Sequence, residues 1–218
     1  MSPNGLIPAD LSLVSGRPLV ICDADEVLLR FLAGLERYLP SQGLYLDLKG
    51  YALTGSIRHG DSREAAEQSV VSAVIKSFHA TAGLELEAVA GAAEALQRLS
   101  PHAQIVVLTN IAPEAAAGRR ANLAAQGIDY PVIPNSGLKG PMIAAMAART
   151  GAPVVFVDDI HHHHASAAEA HPATHSIHFV ADERLFRLAT PSPHARLFSS
   201  DWAETADHIL QTLGRETG

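Results

Sequence analysis

Residues 18–29, PLVICDADEVLL, constrain this chain more than any other stretch: four apolar residues run straight into two carboxylates spaced i, i+2. A short unbroken apolar run is the pattern of a strand covered on both faces, as in the middle of a parallel sheet. Asp23 and Asp25 then fall at its C-terminal end, on the edge of an open α/β sheet where ligands bind.

Beyond Gln104, apolar runs alternate with helical periods, the pattern of parallel strands joined by crossover helices. Strands are expected over 104–110, 130–133, 153–159 and 175–180, and helices over 113–126, 139–150, a short Ala-rich stretch ending at Glu169, and 201–213 capped by Ser200 or Asp201. Upstream, Pro3, Gly5, Pro8 and Gly16 punctuate a surface arm. The spacing of Val27, Leu28, Phe31, Leu32 and Leu35 predicts a helix over 26–39, stopped by Pro40 and Gly43. Residues 44–59 keep no period and read as a loop or a pair of short elements, with Lys49, Arg58 and His59 as cations. A helix capped by Asp61 or Ser62 is expected to run to about Ala82, and another over 87–99. The expected organisation is an α/β, Rossmann-like parallel-sheet core made of 1–32 and 87–218, with a small, mostly helical cap over 33–86.

Three strands thus end in chosen polar groups: Asp23 and Asp25, Thr109 and Asn110, Asp158 and Asp159. In a parallel sheet these ends share one edge, and Lys139, opening a helix, can reach the same space. A cation at a helix start is disfavoured by the dipole, which argues for a task other than solvation. Carboxylates gathered this closely repel unless they hold a cation, and hard oxygen ligands favour Mg²⁺.

Taken in order, Asp23-Ala-Asp25-Glu-Val27, Thr109, Lys139 and Asp158-Asp159 resemble the four motifs of the haloacid dehalogenase superfamily, mostly phosphatases and phosphotransferases. The resemblance spans about residues 18–30 and 88–180 and implies a cap inserted between the first two motifs. It implies that Asp23 attacks phosphorus and that Asp25 serves as acid, then base. Thr109 and Asn110 would meet the substrate, together with Lys139, which would neutralise charge. Mg²⁺ would lie among Asp23, Asp158, Asp159 and the backbone carbonyl of Asp25. The expected function is Mg²⁺-dependent hydrolysis of a small soluble phosphomonoester. A catalytically silent ligand-binding or regulatory protein on the same fold is the alternative. Metal-independent dehalogenation is a weaker one, because the dehalogenase branch lacks the second aspartate. The fourth motif departs from the commonest form: a histidine run follows it, without the acidic residue many members carry four positions on.

Composition narrows the partners. With 47% apolar and 18% charged residues over 218, the chain can bury one substantial core. A formal charge of −7 and no Lys/Arg block argue against nucleic acid. Cys22 is the only cysteine, so no intrachain disulfide and no thiolate zinc site can form, which fits a reducing cytoplasm. Neither secretion nor membrane insertion is expected, and monomer and homodimer both fit. Cys22 reads as a buried strand residue, Arg119 and Arg120 as surface decoration, and His161, His162, His163 and His164 as a solvated loop in which only the first and last could share a face.

Overall fold

In the computed structural model the chain is described over residues 7–8, 11–81, 83 and 85–216; the expected arm at 1–16 and the expected helix end at Ala82 fall partly outside these. Strand β1 (Leu19–Cys22) leads into helix α1 (Phe31–Tyr38), the antiparallel pair β2 (Leu44–Leu46) and β3 (Ile57–His59), and helix α2 (Gln68–Ala80). Helix α3 (Ala92–Leu99), β4 (Gln104–Thr109), α4 (Ala116–Ala125), β5 (Val132–Pro134), α5 (Gly140–Thr150) and β6 (Val154–Asp158) follow. The chain continues through α6 (His161–Ala170), β7 (His175–Phe179), α7 (Glu183–Leu188), β8 (Leu197–Ser199) and α8 (Trp202–Glu216).

Six strands form one parallel sheet in the order β5-β4-β1-β6-β7-β8. β1 lies between β4 and β6, with Cys22 level with Val107 and Val157. Alternation along each strand sends side chains to opposite faces. Val20 and Cys22 join Leu96, Leu123, Trp202 and Ile209 on one side; Leu19 and Ile21 join Ile143, Met146 and Phe156 on the other. The result is three layers, helix on sheet on helix, as the Rossmann-like expectation requires. Among the described residues no helix is long and apolar enough to cross a membrane.

Several boundaries differ from expectation, each for a local reason. The helix expected from residue 26 begins only at Phe31, because 24–29 form a tight turn. There the Leu28 and Leu29 amides both donate to the Ala24 carbonyl, and Glu26 takes φ +59°. Its carboxylate accepts from the Leu32 amide at 2.6 Å and the Asp182 amide at 3.0 Å, so it serves the helix start from outside it. Val27 and Leu28 are buried without being helical, and the Trp202 indole donates to the Val27 carbonyl at 2.9 Å.

Asp61 and Ser62 do not cap α2. They bond within their own turn, while the Ala66 amide donates to Ile57, folding the segment back on β3. The shapeless 44–59 stretch holds the β2–β3 pair. The short elements α7 and β8 carry no signal that the expectation captured. At the last helix Asp201 is the cap, its Oδ1 accepting from the Glu204 amide at 2.9 Å.

Helices α5 and α6 meet at Gly140, where an added Cβ would land on the Ser166 carbonyl and hydroxyl. Gly140→Ala must part these two helices, so we expect a loss of about 1–3 kcal/mol, the usual cost of overpacking, read as a lower urea midpoint at unchanged slope. An unchanged midpoint would show that the close approach is not required.

Candidate active site

Parallel strands place their C-terminal ends together, and this edge collects the polar groups. Asp23 directly follows β1, and its amide continues the ladder by donating to the Val157 carbonyl at 2.9 Å. Thr109 ends β4, Asp158 ends β6 and Asp159 comes next. Lys139 sits one residue before α5, entirely enclosed, with Nζ 2.8 Å from Asp23 Oδ1 and 2.6 Å from Asp158 Oδ2. Burial works against its charge, but Asp158 and Asp23 outweigh burial and raise its pKa.

Carboxylate oxygens of Asp23, Asp158 and Asp159 lie within 4.8 Å of one another, all three residues buried. Lys139 offsets one of three negative charges. Burial pushes the Asp23 pKa up to about 6 against the pull of Lys139, with Asp158 and Asp25 adding to the rise. Asp159 is raised well above the ordinary range by burial, then by Asp158 and Asp23. An all-oxygen, under-compensated donor set of this kind suits a hard divalent cation.

Asp25 stands apart from that cluster. Its Oδ1 is 3.0 Å from Nη2 of Arg119 on α4, and its Oδ2 is 3.8 Å from Nδ1 of His79 on α2. Arg119 is 1% exposed, which overturns its reading as surface decoration, while Arg120 does stay at the surface. The signal was available: Leu123, one helical turn on, is fully buried, so Arg119 lies on the inward face of α4. A guanidinium has no acceptor, so at 3.4 Å it donates to Nδ1 of His79. His79 is therefore neutral with its proton on Nε2; burial lowers its pKa, and the Arg119 charge adds to this against the pull of Asp25.

Tyr51, from the link between β2 and β3, was missed because no pattern surrounds it. Its hydroxyl lies 2.8 Å from both Oδ2 and the backbone oxygen of Asp159. The cations singled out over 44–59 are held by nearby carboxylates: Arg58 and Lys49 by Asp47 at 2.8 and 3.2 Å, His59 by Glu67 at 3.5 Å. The Asn110 amide donates to the Gly137 carbonyl at 3.0 Å and accepts from Asn135 at 2.7 Å. Thr109 Oγ1 is buried with no hydrogen-bond partner among the described residues.

The four histidines open α6, and the solvated-loop reading fails for His163 and His164, both buried. His164 Nε2 donates to the Asp158 carbonyl and His178 Nε2 to the Asp159 carbonyl, each at 3.0 Å. The Ser192 amide donates to His178 Nδ1, which makes that ring neutral and fixes its tautomer. Burial lowers both pKa values to about 4. His161 and His164 do share a face: both rings pack against His178. Cys22 is buried as expected, its thiol pKa pushed up by burial. Beside the acidic edge, α2 and the loops after β4 and β5 line an open cavity of about 590 Å³, with His79 and Asn110 in its wall.

No family model matches the sequence, and no curated protein matches it. Solved structures do. A HAD-hydrolase from Bacillus subtilis, YfnB, bound to magnesium, aligns at 14% identity and TM-score 0.59 over 90% of this chain and 99% of that one. A predicted phosphoglycolate phosphatase from Haemophilus somnus aligns at 14% and 0.57 over 89% and 99%. The L-2-haloacid dehalogenase of Xanthobacter autotrophicus, with chloropropionic acid covalently bound, aligns at 12% and 0.55 over 91% and 99%. The chain has the fold of the haloacid dehalogenase-like hydrolases.

A carboxyl whose native pKa exceeds its unfolded value binds more protons when folded, so its contribution to stability is full below the unfolded pKa and is lost as pH rises through the native one. For Asp23 that window runs from about 4 to about 6. In metal-free protein the melting temperature should fall across it, and Asp23→Asn should make the fall shallower; parallel profiles would contradict the assigned burial cost.

Proposed function

We propose that this chain is a Mg²⁺-dependent phosphatase that hydrolyses a small soluble phosphomonoester through an aspartyl-phosphate on Asp23. The observation that carries the reading is the buried Asp23 carboxylate at the sheet edge, paired to Lys139 and crowded by two further aspartates. The fold is shared by phosphatases and dehalogenases alike, so the choice between them rests on this acidic set and on Asp25.

Asp23, Asp158 and Asp159 would hold the metal with the Asp25 backbone carbonyl; when bound, the ion supplies positive charge where two anions must meet. The remaining steps belong to the chain. Asp23 forms the bond to phosphorus as the ester P–O bond breaks, and Asp25 gives its proton to the departing oxygen. Asp25 then takes a proton from water, whose oxygen bonds to phosphorus while the Asp23–phosphorus bond breaks. Thr109, with a buried hydroxyl lacking a partner among the described residues, donates to a phosphoryl oxygen. Lys139 offsets the charge shared by nucleophile and phosphoryl group. Residues 33–86 form the cap over a core of 1–32 and 87–218. Tyr51 and His79 carry that cap to the acidic edge.

Hydrolysis of p-nitrophenyl phosphate and of a phosphometabolite panel tests this. Turnover should require Mg²⁺, stop with EDTA, return on adding Mg²⁺, and fall to background in Asp23→Asn. Halide release from 2-chloropropionate without metal would replace the reading by dehalogenation, and ligand-induced thermal stabilisation without phosphate release would replace it by binding alone.

A further inference from the structure

Arg119 carries a permanent charge, is 1% exposed, and forms an ion pair at 3.0 Å with Asp25 Oδ1, an oxygen that has no hydrogen-bond donor among the described residues. Its Nη2 donates to His79, so a single guanidinium nitrogen joins the turn after β1, by ion pairing, to α2, by a hydrogen bond. Asp25 Oδ1 is enclosed, whereas the side chain as a whole keeps 19% exposure, which leaves Oδ2 as the accessible oxygen. Oδ2 lies on the side of His79, and His79 stands in the wall of the 590 Å³ cavity. With Nδ1 taken by Arg119, the His79 proton sits on Nε2.

We propose that Arg119 is a positioning residue that holds Asp25 by Oδ1, so that Oδ2 alone exchanges protons, and sets His79 to donate from Nε2 to an oxygen of the leaving group. This rests on the phosphatase reading above. The proton leaves Oδ2 for the ester oxygen as the P–O bond breaks; in the second half Oδ2 takes a proton from water as the Asp23–phosphorus bond breaks. The geometry therefore suits an alkyl phosphate with an acceptor oxygen near the ester, a leaving group that needs the proton.

Two substrates separate this from a structural role, using the full chain with Mg²⁺. p-Nitrophenolate leaves without a proton; an alkoxide does not. In Arg119→Gln, kcat on the best alkyl phosphate of the panel should fall about 10²-fold, the usual share of a general acid. On p-nitrophenyl phosphate about one equivalent of nitrophenolate should appear in a burst, followed by slow turnover while the aspartyl-phosphate waits for its base. Equal losses on both substrates without a burst overturn the proposal. Arg119→Lys, which keeps charge and most of the volume, serves if the first variant does not fold: combined with Asp25→Asn it should add nothing to the loss from Asp25→Asn alone, and an additive loss overturns the role. A parent protein inert toward both substrates overturns the phosphatase reading itself, and the role with it.

Discussion

The contact on which this molecule depends is the enclosed ammonium of Lys139 between Asp23 and Asp158. It joins the ends of two adjacent central strands to the start of a helix. Removing one partner of such a buried set strands the others at a cost of roughly 3–5 kcal/mol. Sheet order, the close approach of α5 to α6 and the Ser166 contact all serve to deliver Nζ to that point. The set is also incomplete: one positive charge faces three carboxylates, and that deficit is what invites a divalent ion.

Around that centre runs a layer of neutral polar groups. His164 and His178 donate to the carbonyls of Asp158 and Asp159, holding the backbone that carries two of the crowded carboxylates. Kept neutral by burial, these rings brace the site without adding to its charge. Tyr51 meets Asp159 from the link between β2 and β3. The site is therefore gripped from the sheet edge and from residues 51 and 79 together, with His79 and Arg119 both meeting the second aspartate.

Strand ends were legible in the sequence because a strand buried on both faces must be continuously apolar, so the first polar residue marks the edge. Asp23, Thr109 and Asp158 announce themselves in this way, and Lys139 does so by opening a helix with Pro141 in its first turn. Arg119 was hidden because residue type suggests solvent; only the phase of α4, read through Leu123, turns it inward. The turn at 24–29 misled for the opposite reason: a buried turn wears the same apolar residues as a helix, and the positive φ of Glu26 leaves no mark on composition. The histidines looked solvated because their partners are backbone carbonyls, which no pattern of side chains reveals. Tyr51 and the short β8 depend on contacts made far along the chain.

The sheet order has a kinetic consequence. β1, which leads into Asp23, pairs with residues 85 and 135 positions downstream, at Gln104 and Val154, and the turn after it is pinned by the indole of Trp202. Pairings this distant in sequence form late and slowly. On a growing chain the DADE turn emerges early yet stays unassembled until most of the polypeptide has followed, so no partly made molecule presents its carboxylates in working order.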